Sequence, residues 1–108
     1  MKIQGDNKYW AYVAEVTGDI KADLQRGLEF INWDKYIGQN SSVFIKPNFT
    51  LPYYKEGITT SPELLRRLLE IIKSKAARVI LGESNGGNNS FTADTAFKNH
   101  DMHEICKQ

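Results

Sequence analysis

Two short apolar runs, Ser42–Lys46 (SVFIK) and Arg78–Leu81 (RVIL), flank one strongly amphipathic segment. That arrangement constrains the chain more than any other feature. The first run ends at Pro47, which has no N–H to give to a sheet ladder, so the strand stops there. Between the runs, Leu64, Leu65, Leu68, Leu69, Ile71 and Ile72 recur at helical spacing. Arg66, Arg67, Glu70 and Lys73 take the opposite face, with Glu63–Arg67 and Arg66–Glu70 at ion-pair spacing. Ser61 or Thr60 caps this helix, Pro62 suits its first turn, and Thr60 with Glu63 has capping-box spacing. A strand, a helix of about 61–75 and a strand of about 78–83 make a β-α-β unit with a right-handed crossover. RVIL is apolar without alternation, the pattern of a strand covered on both faces.

The flanks extend the same alternation. Tyr9–Val16 (YWAYVAEV) is aromatic and β-branched and predicts a first strand, about 9–16. Ile20, Leu24, Leu28 and Ile31 then set a helix of about 20–31, with Asp19 as its N-cap. Short helices are expected at about 92–99 and 102–107, after the polar loop Asn85–Ser90 (NGGNNS). The predicted fold class is α/β. It has a mainly parallel sheet of about three strands with helices packed on it, in β-α-β-α-β-α order, within 1–108 as one domain or part of a larger one.

The 108 residues carry 14 Lys+Arg and 13 Asp+Glu, a formal net charge of +1. Such a balance speaks against a nucleic-acid partner, which would call for a basic excess. Tyr53-Tyr54-Lys55 therefore reads as loop packing rather than an aromatic-basic patch. No apolar stretch approaches the ~20 residues of a membrane span, and no leader pattern follows Met1, so a cytoplasmic location is expected. The lone Cys106 rules out an internal disulfide and a self-contained iron–sulfur cluster, and reads as a small hydrophobe.

In an open parallel sheet, ligands bind beyond the carboxyl ends of the strands. Lys46-Pro47-Asn48 ends one strand, Gly82-Glu83-Ser84 the next, and Asn85-Gly86-Gly87 follows. Thr59, Thr60 and Ser61 precede the long helix. The candidate ligand-binding residues are Lys46, Asn48, Thr60, Ser61, Glu83, Ser84, Gly86 and Gly87. Lys46 would neutralise an anion or act as a base, and Glu83 would orient Lys46 or serve as acid or base, which makes these two the catalytic candidates. Thr60 and Ser61 lie where helix N–H groups are free, and Gly86-Gly87 lets backbone approach a ligand. Each feature has a plainer reading: a structural Lys46–Glu83 ion pair, ordinary capping, and a mobile turn. GESNGGNNS fits neither the phosphate-loop nor the dinucleotide glycine pattern. His100 and His103, three apart, are weak metal candidates if one helix carries both, and otherwise exposed polar residues.

The string VFIKPNF, followed by TTSPELLRRLLEIIKSKAARVILGES, resembles the domain of unknown function family 362. The resemblance rests on Lys46-Pro47-Asn48, Gly57 with Thr59-Thr60, Pro62-Glu63-Leu64 and Gly82-Glu83-Ser84. Thr95-Ala96-Phe97, His100 and Met102 continue it, over roughly Tyr12 to Gln108. It implies an association with ferredoxin-type iron–sulfur modules, a longer domain of which this chain is the amino-terminal part, and strand-end residues belonging to a shared pattern. It implies no particular reaction or cofactor. Three functions follow as expectations: binding of a small anionic ligand or cofactor at the strand-end edge, assembly with a second copy or a ferredoxin-type partner through an exposed sheet edge, or a contribution to a metal-assisted enzyme.

Overall fold

The fold is that of a computed structural model describing residues 2–4 and 9–108. Residues 1 and 5–8, part of the start at which no leader was read, lie outside them. The elements run β1 (Lys2–Gln4), β2 (Trp10–Tyr12), α1 (Ile20–Phe30), β3 (Ser42–Ile45), α2 (Pro62–Lys73), β4 (Arg78–Leu81), α3 (Ala93–Asn99) and α4 (Met102–Cys106). Single 3₁₀ turns lie at Trp33–Lys35 and Gly87–Asn89.

The predicted β-α-β unit is present. β3 and β4 pair in parallel, with Val43 opposite Val79 and Ile45 opposite Leu81. Between them, α2 starts where its chemistry dictates: Ser61 Oγ accepts the Leu64 N–H and Pro62 fills the first turn. Ser61, not Thr60, is the cap, so Thr60 and Glu63 form no capping box. Glu63 takes both Arg66 and Arg67, at 3.1 and 2.8 Å. Arg67 reaches Glu70, which also bonds Lys21 of α1 at 3.1 Å; this replaces the Arg66–Glu70 pair expected from spacing.

The core is built from the second half of the chain. Phe49, Leu65, Ala96, Met102 and Ile105 are buried together, with Ile45, Leu69, Leu81, Phe91 and Phe97 packed against them. Pairs such as Ile45 and Leu81 share one face of the pleat with Val43 and Val79, so α2, α3 and α4 cover that face. Phe44 and Ile80 point the other way, and Phe44 is 63% exposed. In RVIL itself Val79, Ile80 and Leu81 are each half-buried, so neither face is sealed, and the open part of the second face lies at Phe44 of β3. Gly82 is the counterpart of that open face, because an added Cβ would lie 2.5 Å from Cζ of Phe44.

The three-strand parallel sheet is likewise not formed among the described residues. Of the strand expected over 9–16, Trp10–Tyr12 is extended in a ladder, and it pairs antiparallel with β1 (Ile3 opposite Ala11) instead of joining β3. β-branched and aromatic side chains favour extended backbone but do not choose a partner. α1 follows its N-cap as read, with Asp19 Oδ1 accepting the Ala22 N–H at 3.0 Å. It packs on α2 without burying any residue fully. The resulting shape is open. Its accessible surface is 7777 Å², against roughly 6,100 Å² for a compact chain of this mass.

Candidate functional site

The carboxyl ends of β3 and β4 lie side by side because the strands are parallel and in register. Lys46 follows β3 and Glu83 follows Gly82 after β4. Lys46 Nζ bonds Glu83 Oε2 at 3.1 Å. The two partners differ in setting: the Lys46 side chain is 58% exposed, that of Glu83 only 5%. Glu83 Oε1 accepts the Ser84 N–H at 2.7 Å and the Ser84 hydroxyl at 3.3 Å. Burial pushes the Glu83 carboxyl up, but the Ser84 N–H and the Lys46 ammonium outweigh it and hold the group below its usual range. Glu83 is thus a fixed anion, and Lys46 the solvent-facing cation held beside it.

Beyond this pair lies an open cleft of about 270 Å³. Lys46, Asn48, Glu83, Ser84, Gly86 and Gly87 all line it, so six of the eight predicted ligand residues converge. Phe49, Thr50, Asn85 and Phe91 complete the wall. The sequence places Asn85 in the strand-end loop without assigning it to the ligand, and gives no such place to Phe49, Thr50 or Phe91. Asn85 Oδ1 accepts the Ala93 N–H at 2.8 Å across the loop, beside the Thr92 cap of α3, a contact that depends on the loop folding back. Phe91 likewise takes its place only as the loop closes back. Gly86 N–H donates to the Phe91 carbonyl at 2.8 Å, and a Cβ on Gly86 would lie 2.5 Å from the Phe91 ring. Gly86 therefore admits Phe91, while the space beside Gly87 is open. With Ser90 N–H donating to the Gly87 carbonyl, the NGGNNS loop is a tied turn.

Asn48 and Thr60 are committed to each other and to the loop between them. Asn48 N–H donates to Thr60 Oγ1 at 2.7 Å, Asn48 Nδ2 to the Ile58 carbonyl at 3.0 Å, and Asn48 Oδ1 accepts the Thr50 hydroxyl. Thr59, buried, closes the same loop through both the N–H and the carbonyl of Lys55. Thr60 does not line the cleft. Ser61 caps α2 and lines a separate groove against Tyr12, Leu24 and Leu64.

The two histidines do not share a helix face. Asp101, at φ 56°, breaks the chain between α3 and α4. His100 is 2% exposed, stacks on Phe49 at 4.0 Å and donates from Nε2 to the Leu51 carbonyl at 2.9 Å. His103 is exposed, near the Phe97 ring. Cys106 is exposed rather than packed, and the burial it retains pushes its thiol up. Among the described residues no cluster of three acidic, histidine or cysteine side chains converges on a metal-sized site. No helix among them is long and apolar enough to cross a membrane.

The model of the family described as Domain of unknown function (DUF362) matches residues 43–108, more than half of the chain, from β3 through α4. The chain belongs to that family. The match takes in the whole cleft and core and leaves out residues 12–42, which the sequence resemblance had also included. Neither the comparison with curated proteins nor that with solved structures gave a match.

Proposed function

We propose that this domain binds a small anionic ligand at the carboxyl edge of its parallel sheet, with Lys46 as the charge that meets it. The observation that carries the reading is the convergence of Lys46, Asn48, Glu83, Ser84, Gly86 and Gly87 on one cleft. Support comes also from the exposure of Lys46 against the burial of Glu83. A lysine whose ammonium is held by a single enclosed carboxylate while 58% of its side chain stays exposed suits exchange between an internal partner and an incoming anion. The Asn85 amide and the open space beside Gly87 supply uncharged surroundings for it, while the Thr50 and Ser84 hydroxyls already donate to Asn48 and Glu83. Titration calorimetry against carboxylated and phosphorylated metabolites tests the proposal. Binding that survives Lys46→Ala unchanged would remove the assigned role.

A redox association is the second component of this reading, and family membership is its support. The lone Cys106 means that any iron–sulfur cluster would be held outside these residues. An enzymatic role for Lys46 and Glu83 as base and acid has less in its favour, because the Glu83 carboxylate is nearly enclosed and already holds Ser84 and Lys46.

The exposed Phe44 on the open sheet face favours one alternative, assembly through the β3–β4 sheet with a second copy or another chain. Light scattering over a concentration series decides it. A monomer throughout counts against assembly between copies.

A further inference from the structure

The charge balance of the cleft points to the kind of anion it accepts, an inference that rests on the anion-binding reading above. Among the residues lining the cleft, Lys46 and Glu83 are the two that carry charge. They are 3.1 Å apart and sum to zero. Glu83 cannot turn away: one carboxylate oxygen is tied to the Ser84 N–H, the other to Lys46, and its side chain is 5% exposed. An anion drawn to Lys46 Nζ therefore sits within a few ångströms of a fixed negative charge. Attraction to the ammonium and repulsion from the carboxylate both scale with the ligand's charge. A second negative charge on the ligand gains little net attraction, yet it still pays a larger desolvation cost on entering. Dianion sites commonly add a forked arginine or a ring of backbone N–H groups to a lysine, and no arginine lines this cleft, whose lysine is already matched by Glu83. What the wall does offer is uncharged: the Asn85 amide, open space beside Gly87, and the oxygens of the Ser84 and Thr50 hydroxyls, whose protons go to Glu83 and Asn48 and which can accept from a ligand hydroxyl.

We propose that Glu83 makes the cleft a charge filter, admitting singly charged hydroxycarboxylates and turning away dianions of phosphate type. Glu83 is a specificity-determining residue in this scheme, acting through Lys46 and through its own field rather than by direct contact with the ligand.

The test follows backbone amide shifts of residues 83–91 in the full chain while lactate or sulfate is added at matched ionic strength. Lactate carries one charge and sulfate two. The expected result is lactate binding at least about tenfold tighter than sulfate, with the ratio collapsing toward one in Glu83→Gln. That variant keeps an acceptor oxygen for the Ser84 N–H. Sulfate binding to the wild-type cleft as tightly as lactate overturns the filter and leaves the anion site standing. A ratio unchanged in Glu83→Gln overturns the role of Glu83. If neither anion moves these amides, the anion-site reading fails and the filter with it. Should Glu83→Gln not fold, the wild-type ratio alone decides.

Discussion

Asn48 and Thr60 close a thirteen-residue loop on each other: Asn48 N–H donates to Thr60 Oγ1 at 2.7 Å, and Thr60 N–H donates back to the Asn48 carbonyl at 3.1 Å. This reciprocal pair joins the end of β3 to the start of α2. It sets where Lys46, two residues before Asn48, stands relative to the helix. Thr60→Ala removes one of the two bonds and is expected to cost about 1 kcal/mol, or roughly 4–8 °C in melting temperature. Thr60→Ser keeps the acceptor and should recover most of the loss. An unchanged melting temperature in Thr60→Ala would show that the pair contributes nothing.

The buried carboxylate of Glu83 sets a pH dependence of definite sign. Its folded-state pKa lies below the ordinary 4.5, through the Ser84 N–H and the Lys46 ammonium acting against burial. Its stabilising contribution is therefore fully present above that ordinary value and is lost as pH falls through the lowered folded one. Denaturant melts between neutral pH and pH about 3 should show stability falling on the acid side. Glu83→Gln should lose part of that slope. Glu70 and Glu104, also lowered by their lysine partners, account for a share that this variant leaves in place.

Gly86 and Gly87 are adjacent yet should respond in opposite ways to a methyl group. At Gly86 the new Cβ would lie 2.5 Å from the Phe91 ring and 2.6 Å from Ser90 Oγ, so Phe91 must move. Gly86→Ala is expected to cost about 1–3 kcal/mol and to reshape the cleft. Gly87→Ala meets open space and should stay within about 0.5 kcal/mol of wild type. Equal effects at both positions would contradict the tied-turn geometry.

His100 and His103 separate in the same manner. His100 is enclosed, stacked on Phe49 and bonded to the Leu51 carbonyl, so His100→Ala leaves both a cavity and an unpaired carbonyl. A loss of about 3 kcal/mol is expected. His103→Ala, at an exposed position, should be near neutral. Zinc added to the wild type should leave the melting temperature where it was, and a rise of several degrees would revive the metal reading.

The sequence by itself determined the elements whose signals are local. The α2 stripe of Leu65, Ile71 and Ile72 with Ser61 and Pro62 at its start, the Asp19 cap of α1 and the Pro47 stop of β3 are written in spacing and backbone chemistry, and each stands where it was expected. It also placed Lys46 beside Glu83, because parallel strands joined by one helix must end at the same edge. Tertiary structure decided what depends on partners distant in the chain. It paired Trp10–Tyr12 with β1, left Phe44 on an open face, turned Asn48 and Thr60 toward each other, and sealed His100 against Phe49. A residue's type states which bonds it can make. Only the closed chain decides which partner comes within 3 Å, and so which of two chemically equal choices is taken.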